Sequence, residues 1–265
     1  MKKIIYVLTC LIFYSSCLTR QEQSVDLKIM SYNIRHGEGI DTILDLSRSA
    51  KIIKSYAPDI VALQEVDNFC MRSDSIGQTD YFAQQTLMTG TFGGFMKFQG
   101  GEYGMATLSL KPLTSTKVLQ LPDGKFEPRT SIVHEIQISP EQDIIFANVH
   151  FDWISGKDGD FNRLSQAKAL IEYINTLNKA AIITGDFNCT PNSATMKYFT
   201  TQGFIFAEKG EDNLSFQGED KVEIDHLIYR NSDHLKFKIE NVKLIKEPII
   251  SDHRALLVEL MIVFD

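Results

Sequence analysis

Cysteine, proline and tryptophan are scarce in this chain: its 265 residues hold four cysteines, seven prolines and one tryptophan. Cys10 and Cys17 fall in the first seventeen residues, which leaves Cys70 and Cys189 far apart and without ligand-like spacing. Neither a disulfide framework nor a zinc centre is signalled. No repeat, low-complexity tract, proline-rich stretch or Gly-Ser linker divides the body, so residues 25–265 are read as one domain. A long apolar run is missing too, since Ile4 to Tyr14 is short for a membrane span. Basic residues are outnumbered by acidic ones, and the formal charge is -7. Without residues 1–17 there remain 25 basic and 34 acidic residues, a charge of -9. Such a body adheres poorly to polyanions in general, because nonspecific nucleic-acid binding draws on clustered Lys and Arg. No amphipathic or tryptophan-rich hairpin suited to entering a bilayer is evident.

The chain starts with Met1-Lys2-Lys3, the apolar stretch, and Ser15-Ser16-Cys17. A positive start, a short apolar core and small residues before a cut are the anatomy of a secretory signal. Cys17 also resembles a bacterial lipoprotein acceptor. The expectation is a signal peptide of lipoprotein type over 1–17, a linker over 18–24, and an exported protein, periplasmic or membrane-anchored through a lipid on Cys17. The alternative is an uncleaved N-terminal anchor. A monomer is expected.

Beyond the leader, strand-like and helix-like segments alternate. Strands are expected at Leu27 to Asn33, Ile60 to Gln64, near Phe95, and at Met105 to Leu110. More follow at Ser131 to Ile138, Ile144 to His150, Ala181 to Asp186, Glu223 to Tyr229, Leu235 to Ile245 and Ala255 to Val263. Helices are expected at Thr42 to Tyr56, residues 74–90, Phe161 to Leu177 and Asn192 to Thr201. The glycines between 90 and 104 are read as loops around short strands.

The strands share one feature: they end in side chains of catalytic type. Asn33 and Glu65 close the first two, His150 another, and Asp186 a fourth, with Asn188 two places on; Asp225 opens a later strand, and Asp252-His253 precede the last. In an extended backbone Asp186 and Asn188 look into one space, an anionic acceptor beside a neutral amide. That pairing suits a site holding a water or metal beside an oxyanion; the same residues also suit an Asx turn. Oxygen ligands such as Asn33 and Glu65 are what a hard divalent cation accepts.

The ordered runs Ser-Tyr-Asn-Ile (31–34), Leu-Gln-Glu-Val (63–66), Asn-Val-His-Phe-Asp (148–152), Thr-Gly-Asp-Phe-Asn (184–188), Ile-Asp-His-Leu (224–227) and Ser-Asp-His-Arg (251–254) resemble the endonuclease/exonuclease/phosphatase (deoxyribonuclease I-like) superfamily. The resemblance implies an α/β fold, a four-layer α/β/β/α sandwich of two mixed sheets flanked by helices, with a metal-dependent site at one end. It implies that Asn33 and Glu65 bind Mg²⁺, with Mn²⁺ the alternative, and that Asp252 assists. His150 and Asn188 would hold phosphate oxygens, Asp186 would position and deprotonate water, His253 would bind the transition state, and Asp225 would orient His253. Arg129 sits where relatives place a phosphate-contacting arginine; an ordinary surface arginine is the rival reading. Arg163 and Gln166 look familiar but could be helix-face polar residues. Two departures stand out: Met105 replaces an amide, and Lys111 stands near an expected arginine. His226 follows Asp225 where many relatives carry Tyr, which points to packing, and Trp153 is read either as lining the substrate cleft or, the favoured reading, as a core or rim residue.

The function expected from these residues is an exported Mg²⁺-dependent phosphodiesterase acting by in-line attack of water. Its substrate would be a small molecule, a lipid headgroup or a nucleic acid. The alternatives are a nuclease, an inositol-phosphatase-like phosphomonoesterase, a noncatalytic binding protein on the same scaffold, and a metal-free carboxylate-pair glycosidase using Glu65 and Asp186.

Overall fold

Alternating side chains build the layers. In the first strand Ile29 faces one way and Met30 the other, yet both are fully buried, because the sheet is covered on both faces. The structure, a computed structural model, describes residues 23–264. The leader, lipid-anchor and export readings lie outside the described residues; Gln23 and Ser24, placed in the linker, belong to the first strand.

Twelve strands are found among the described residues: β1 (Gln23–Asn33), β2 (Ile60–Asn68), β3 (Thr89–Phe98), β4 (Gly101–Ser109), β5 (Leu113–Leu121), β6 (Arg129–Ser139), β7 (Gln142–His150), β8 (Ala181–Asp186), β9 (Ile205–Phe206), β10 (Asp225–Arg230), β11 (Leu235–Leu244) and β12 (Leu256–Phe264). Four helices accompany them: α1 (Leu46–Tyr56), α2 (Gln78–Thr86), α3 (Gly156–Leu177) and α4 (Ala194–Thr201). The strands form two six-stranded sheets, ordered β11-β12-β1-β2-β4-β3 and β5-β6-β7-β8-β10-β9. Each is mixed: β1 and β2 pair in parallel, as do β7 and β8, among antiparallel neighbours.

Three apolar layers result. Ile29, Ile60 and Val258 meet Ile144, Phe146 and Ile182 between the sheets. Met30, Val61 and Leu63 pack outward on Leu46, Ile53 and Phe82 of α1 and α2. Ile145, Ala147 and Ile183 pack outward on Leu170, Ile174, Met196 and Phe199 of α3 and α4. The expected four-layer sandwich is found.

A polar tie crosses the inter-sheet layer. Asn148 Nδ2 donates to the carbonyls of Ala106 (2.9 Å) and Leu63 (3.1 Å), and its Oδ1 accepts from Gln64 Nε2 at 2.8 Å. It spans β7 to β2 and β4 and locks the two sheets at the end where β1, β2, β7 and β8 terminate.

Some boundaries differ from expectation. Residues 74–90 hold a shorter helix, since a strand begins at Thr89. The glycine cluster read as loops belongs to the β3–β4 pair: a Cβ on Gly104 would lie 2.2 Å from the Gly93 carbonyl oxygen, so glycine permits that close backbone approach. The edge strand β5 was not expected, because its residues are mostly exposed and carry no apolar alternation. The first helix starts at Leu46, where the Asp45 carboxylate accepts from Ser47 N at 3.0 Å, rather than at Thr42.

Candidate active site

The predicted side chains come from strand ends, a strand start, a bulge and the adjoining turns on one edge of the sandwich. Asn33 ends β1 and His150 ends β7. Asp186 ends β8 directly beside Asp225, which opens the antiparallel β10. Glu65 sits where β2 slips register against β4 between Gln64 and Val66, with φ +56°. A bulge residue in the left-handed region re-aims its side chain out of the pleat, here into the site. Asp252 and His253 lie in the segment before β12, tied to β1 by Ser251, whose Oγ donates to the Asn33 carbonyl at 2.7 Å.

The distances make one cluster. Asn33 Nδ2 donates to Glu65 Oε1 (3.1 Å) and to Asp186 Oδ2 (3.2 Å). Asp186 Oδ2 is 3.6 Å from both His150 Nε2 and His253 Nε2. His253 Nδ1 donates to Asp225 Oδ2 at 2.8 Å, and the ring meets Phe216 edge-on, with centroids 5.0 Å apart. Asp186 Oδ1 accepts from Asn188 N at 2.9 Å. The Asx turn is present, and the extended backbone expected to aim Asp186 and Asn188 into one space is not: β8 ends at Asp186, and Asn188, at φ +51°, turns the chain and donates through Nδ2 to the Phe151 carbonyl at 3.0 Å. Phe187 points away into a cluster with Phe151 and Phe199.

Gly185 makes this turn possible. It has φ +147°, and a Cβ there would lie 2.0 Å from the Val149 carbonyl oxygen. Only a residue without a side chain lets β8 run this close to β7 just before Asp186.

Burial sets the charges. Desolvation pushes the Glu65 and Asp186 carboxyls above their ordinary range. His253 is held above its ordinary value: burial opposes the charge, but Asp225 and then Asp186 outweigh it. Asp225 is correspondingly pulled down against its own burial, chiefly by His253. His150 goes the other way, pushed well down by burial and then by Arg129. Among the described residues its Nδ1 and Asp225 Oδ1 are buried without a partner.

The remaining expectations divide. Arg129 is not a surface arginine: it is fully buried, donates to Glu127 Oε2 at 2.6 Å, and lies 5.0 Å over the Phe95 ring, itself 6.3 Å from the His150 ring. Arg163 and Gln166 are buried too, and hold the chain just after His150: Arg163 Nη1 donates to the Asp152 carbonyl, and Gln166 Oε1 accepts from Asp152 N. Asp252 is partly exposed, 3.8 Å from Arg35 Nε. His226 packs between Phe187 and Phe206. Trp153 is 53% exposed against Phe126 and so is not in the core. Ser215, Phe216, Phe95 and Arg35 had no sequence signal. Ser215 Oγ accepts from the Asp225 backbone N–H at 2.9 Å, and it lies in a long connection without periodicity.

The donor set fits a hard divalent cation. Glu65 offers a carboxylate beside the Asn33 amide, whose Nδ2 faces Glu65 and whose Oδ1 accepts from Arg35 N at 3.1 Å. Turned end for end, that amide would add its oxygen to the carboxylates that converge here with few cations to balance them. Asp186, Asp225 and His253 also offer atoms within 4.8 Å of one another. His253, however, has Nδ1 bonded to Asp225 and Nε2 turned to Asp186, which makes it a partner of those carboxylates. A cavity of about 810 Å³ lies at the opposite end of the sandwich, lined by Asp143, Lys179 and Arg230, and holds none of these groups.

A sequence model of the endonuclease/exonuclease/phosphatase family matches residues 30–253. Among solved structures, an endonuclease/exonuclease/phosphatase from Beutenbergia cavernae superposes with a TM-score of 0.74 at 15% identity, over 89% of this chain and 71% of that one. The human Nocturnin catalytic domain, with a bound sulfate anion, gives 0.72 at 19% identity, over 90% and 97%. An endonuclease/exonuclease/phosphatase from Bacteroides vulgatus gives 0.71 at 21% identity, over 89% and 98%. At such identities the likeness is one of fold. No curated protein matches the sequence.

Proposed function

Because the chain belongs to the endonuclease/exonuclease/phosphatase family, we propose that it is a Mg²⁺-dependent phosphodiesterase, with Mn²⁺ a substitute, acting on a small or lipid-borne phosphodiester outside the cytoplasm. The observation that carries this reading is the convergence on Asp186, which Asn33, His150 and His253 approach from three other parts of the chain.

Asn33 and Glu65 would hold the cation, with Asp252 binding one of its waters, and the metal would supply positive charge to a nonbridging phosphate oxygen. Asp186 Oδ2 takes the proton of the attacking water. The water oxygen bonds to phosphorus in line with the leaving oxygen, whose bond to phosphorus breaks. His150, the second N–H of Asn188, and His253 donate to the oxygens on which charge accumulates. Asp225 holds His253 in the orientation that presents Nε2. Arg129, wedged between Glu127 and Phe95, adds positive charge behind His150. The acidic body argues against nucleic acid as the general substrate.

The test is a Mg²⁺ assay on an aryl phosphodiester, sphingomyelin, inositol phosphates, plasmid DNA and RNA, beside Asp186→Asn and His253→Ala. Loss of a single group of this kind is expected to cost ~100- to 1,000-fold. Unchanged turnover in both variants refutes the roles assigned. Turnover of nothing in the panel favours a binding protein, and activity that survives a chelator favours the metal-free glycosidase chemistry. Export and lipidation of Cys17 are part of the proposal; cell fractionation and palmitate labelling of a Cys17→Ser variant test them.

A further inference from the structure

Behind the site lies a trio of charged and polar side chains that the phosphoryl chemistry leaves unused. His226, the residue after Asp225 in β10, is fully buried between Phe187 and Phe206. Its Nε2 lies 2.9 Å from the Cys189 carbonyl oxygen, and its Nδ1 lies 3.1 Å from Lys209 Nζ. Lys209 Nζ also donates to Glu223 Oε1 at 2.6 Å, and the lysine side chain is only 2% exposed. These partners leave one arrangement of the ring. An ammonium only donates and a carbonyl only accepts, so Nδ1 is the acceptor and the ring proton sits on Nε2. Burial, and then the Lys209 charge, press the imidazole down to about 3, which keeps it neutral.

The two ends of this chain of bonds reach two parts of the site. Cys189 directly follows Asn188, in the turn where Asp186 Oδ1 accepts from Asn188 N and Phe187 N donates to the Ile224 carbonyl, each at 2.9 Å. Glu223 stands two residues before Asp225, at the close of the connection that brings Ser215 to the Asp225 backbone and Phe216 to the His253 ring. Filling the space between two phenylalanine rings needs no nitrogen. Burying an ammonium sacrifices its hydration, and apolar side chains of the same volume in place of a buried ion pair are often as stable or more so. Stability therefore leaves Lys209 unexplained. What the ammonium adds is a ring proton fixed on the side of the Cys189 carbonyl.

We propose that His226 and Lys209 are positioning residues for the phosphoryl reaction: Lys209 fixes the tautomer of His226, whose Nε2–H holds the Cys189 carbonyl and so sets the turn that carries Asp186 and Asn188. This rests on the phosphoesterase reading and adds to it two residues that touch neither cation nor phosphate. A displacement of about 1 Å at such a turn is enough to cost ~100-fold in rate, because the groups that take the proton and hold the phosphate oxygen move with it.

The test compares His226→Phe, which keeps an aromatic ring and loses both bonds, with His226→Gln, whose amide can donate to Cys189 and accept from Lys209. Turnover of the panel substrate that the wild type cleaves is measured beside backbone hydrogen exchange by NMR. In His226→Phe kcat is expected to fall about 10- to 100-fold with KM little changed, because the interactions weakened belong to the transition state. Exchange at the Asn188 amide should quicken about tenfold or more while Ile182 and Ile183 in β8 stay protected, a local loosening that a general loss of stability would not give. His226→Gln should bring both readings back to within about threefold of wild type. Should His226→Phe not fold, the double variant with Lys209→Met removes the stranded ammonium and takes its place. In the wild type the imidazole nitrogen shifts should place the proton on Nε2. A proton on Nδ1, unchanged exchange at Asn188 in a folded His226→Phe, or a His226→Gln as slow as His226→Phe overturns the proposal. Wild-type turnover in His226→Phe refutes this inference alone. The exchange readings need no turnover, so a chain that shows them and hydrolyses nothing removes the phosphoesterase reading and keeps the hold on the turn.

Discussion

Gly185→Ala is the most direct test of how the site is positioned. The added Cβ would lie 2.0 Å from the Val149 carbonyl oxygen and 2.9 Å from the Val149 carbonyl carbon and nitrogen. Ordinary carbon–oxygen contact needs about 3.2 Å, so β7 and β8 must separate by about 1 Å where strands normally sit ~4.8 Å apart. Two ladder hydrogen bonds are weakened, at about 1 kcal/mol each. The positive φ adds about 1 to 3 kcal/mol for a residue with a Cβ. The expected loss is about 3 to 5 kcal/mol, a large part of the ~5 to 15 kcal/mol typical of a domain. At about 2 to 4 °C per kcal/mol for a chain of this size, Tm falls by roughly 6 to 20 °C. Asp186 follows directly, and a 1 Å displacement of its carboxylate is expected to lower turnover about 100-fold. Urea unfolding and a melting curve measure the first effect; the phosphodiester assay, run well below Tm, measures the second. A variant within 1 kcal/mol of wild type and with full turnover would show that β7 and β8 do not approach as described.

Asn148→Ala removes a side chain with three buried hydrogen bonds between the sheets. It should cost about 2 to 4 kcal/mol, because the two carbonyls and Gln64 lose a partner, and urea unfolding reads it; a loss below 0.5 kcal/mol contradicts the tie. His134 is fully buried, with Nδ1 2.8 Å from Thr116 Oγ1, and burial lowers it to about 4. Its folded value lies below the unfolded 6.5, so its contribution is complete above pH 6.5 and is lost as pH falls toward 4, by up to about 3 kcal/mol at 1.36 kcal/mol per pH unit. His134→Gln should flatten that part of the pH–stability curve, and an unaltered slope would count against the assignment. Glu65→Gln should weaken Mg²⁺ binding at least tenfold by calorimetry, and chelation should abolish turnover that Mg²⁺ then restores. Activity indifferent to both would remove the cation from the site.

Much of the site was legible because strand ends carry its chemistry. Asn33, His150 and Asp186 each close an apolar run, and periodicity places such residues at one edge of a sheet. Other parts were not legible. Glu65 reaches the site through a bulge, which no apolar alternation announces, and Ser215 and Phe216 arrive from a connection without periodicity. Arg129 read equally well as a surface residue, since only the packing of Glu127 and Phe95 around it makes it buried. The β3–β4 glycines read as loops because close backbone approach and turns call for the same residue. β5 was invisible because its exposed edge carries no pattern.

The amino-acid sequence by itself determined the alternating strands and helices, the residue types able to bind a cation and a phosphate, and the order in which they occur. Tertiary structure alone decided which of them touch. Asn33 meets Asp186 across 153 positions, and His253 finds Asp225 because β10 lies beside β8. It also decided the charges, since only burial raises Asp186 and only the facing carboxylates keep His253 protonated. Local pattern arises from neighbours a few residues apart, whereas contact and desolvation depend on the sheets that close over them.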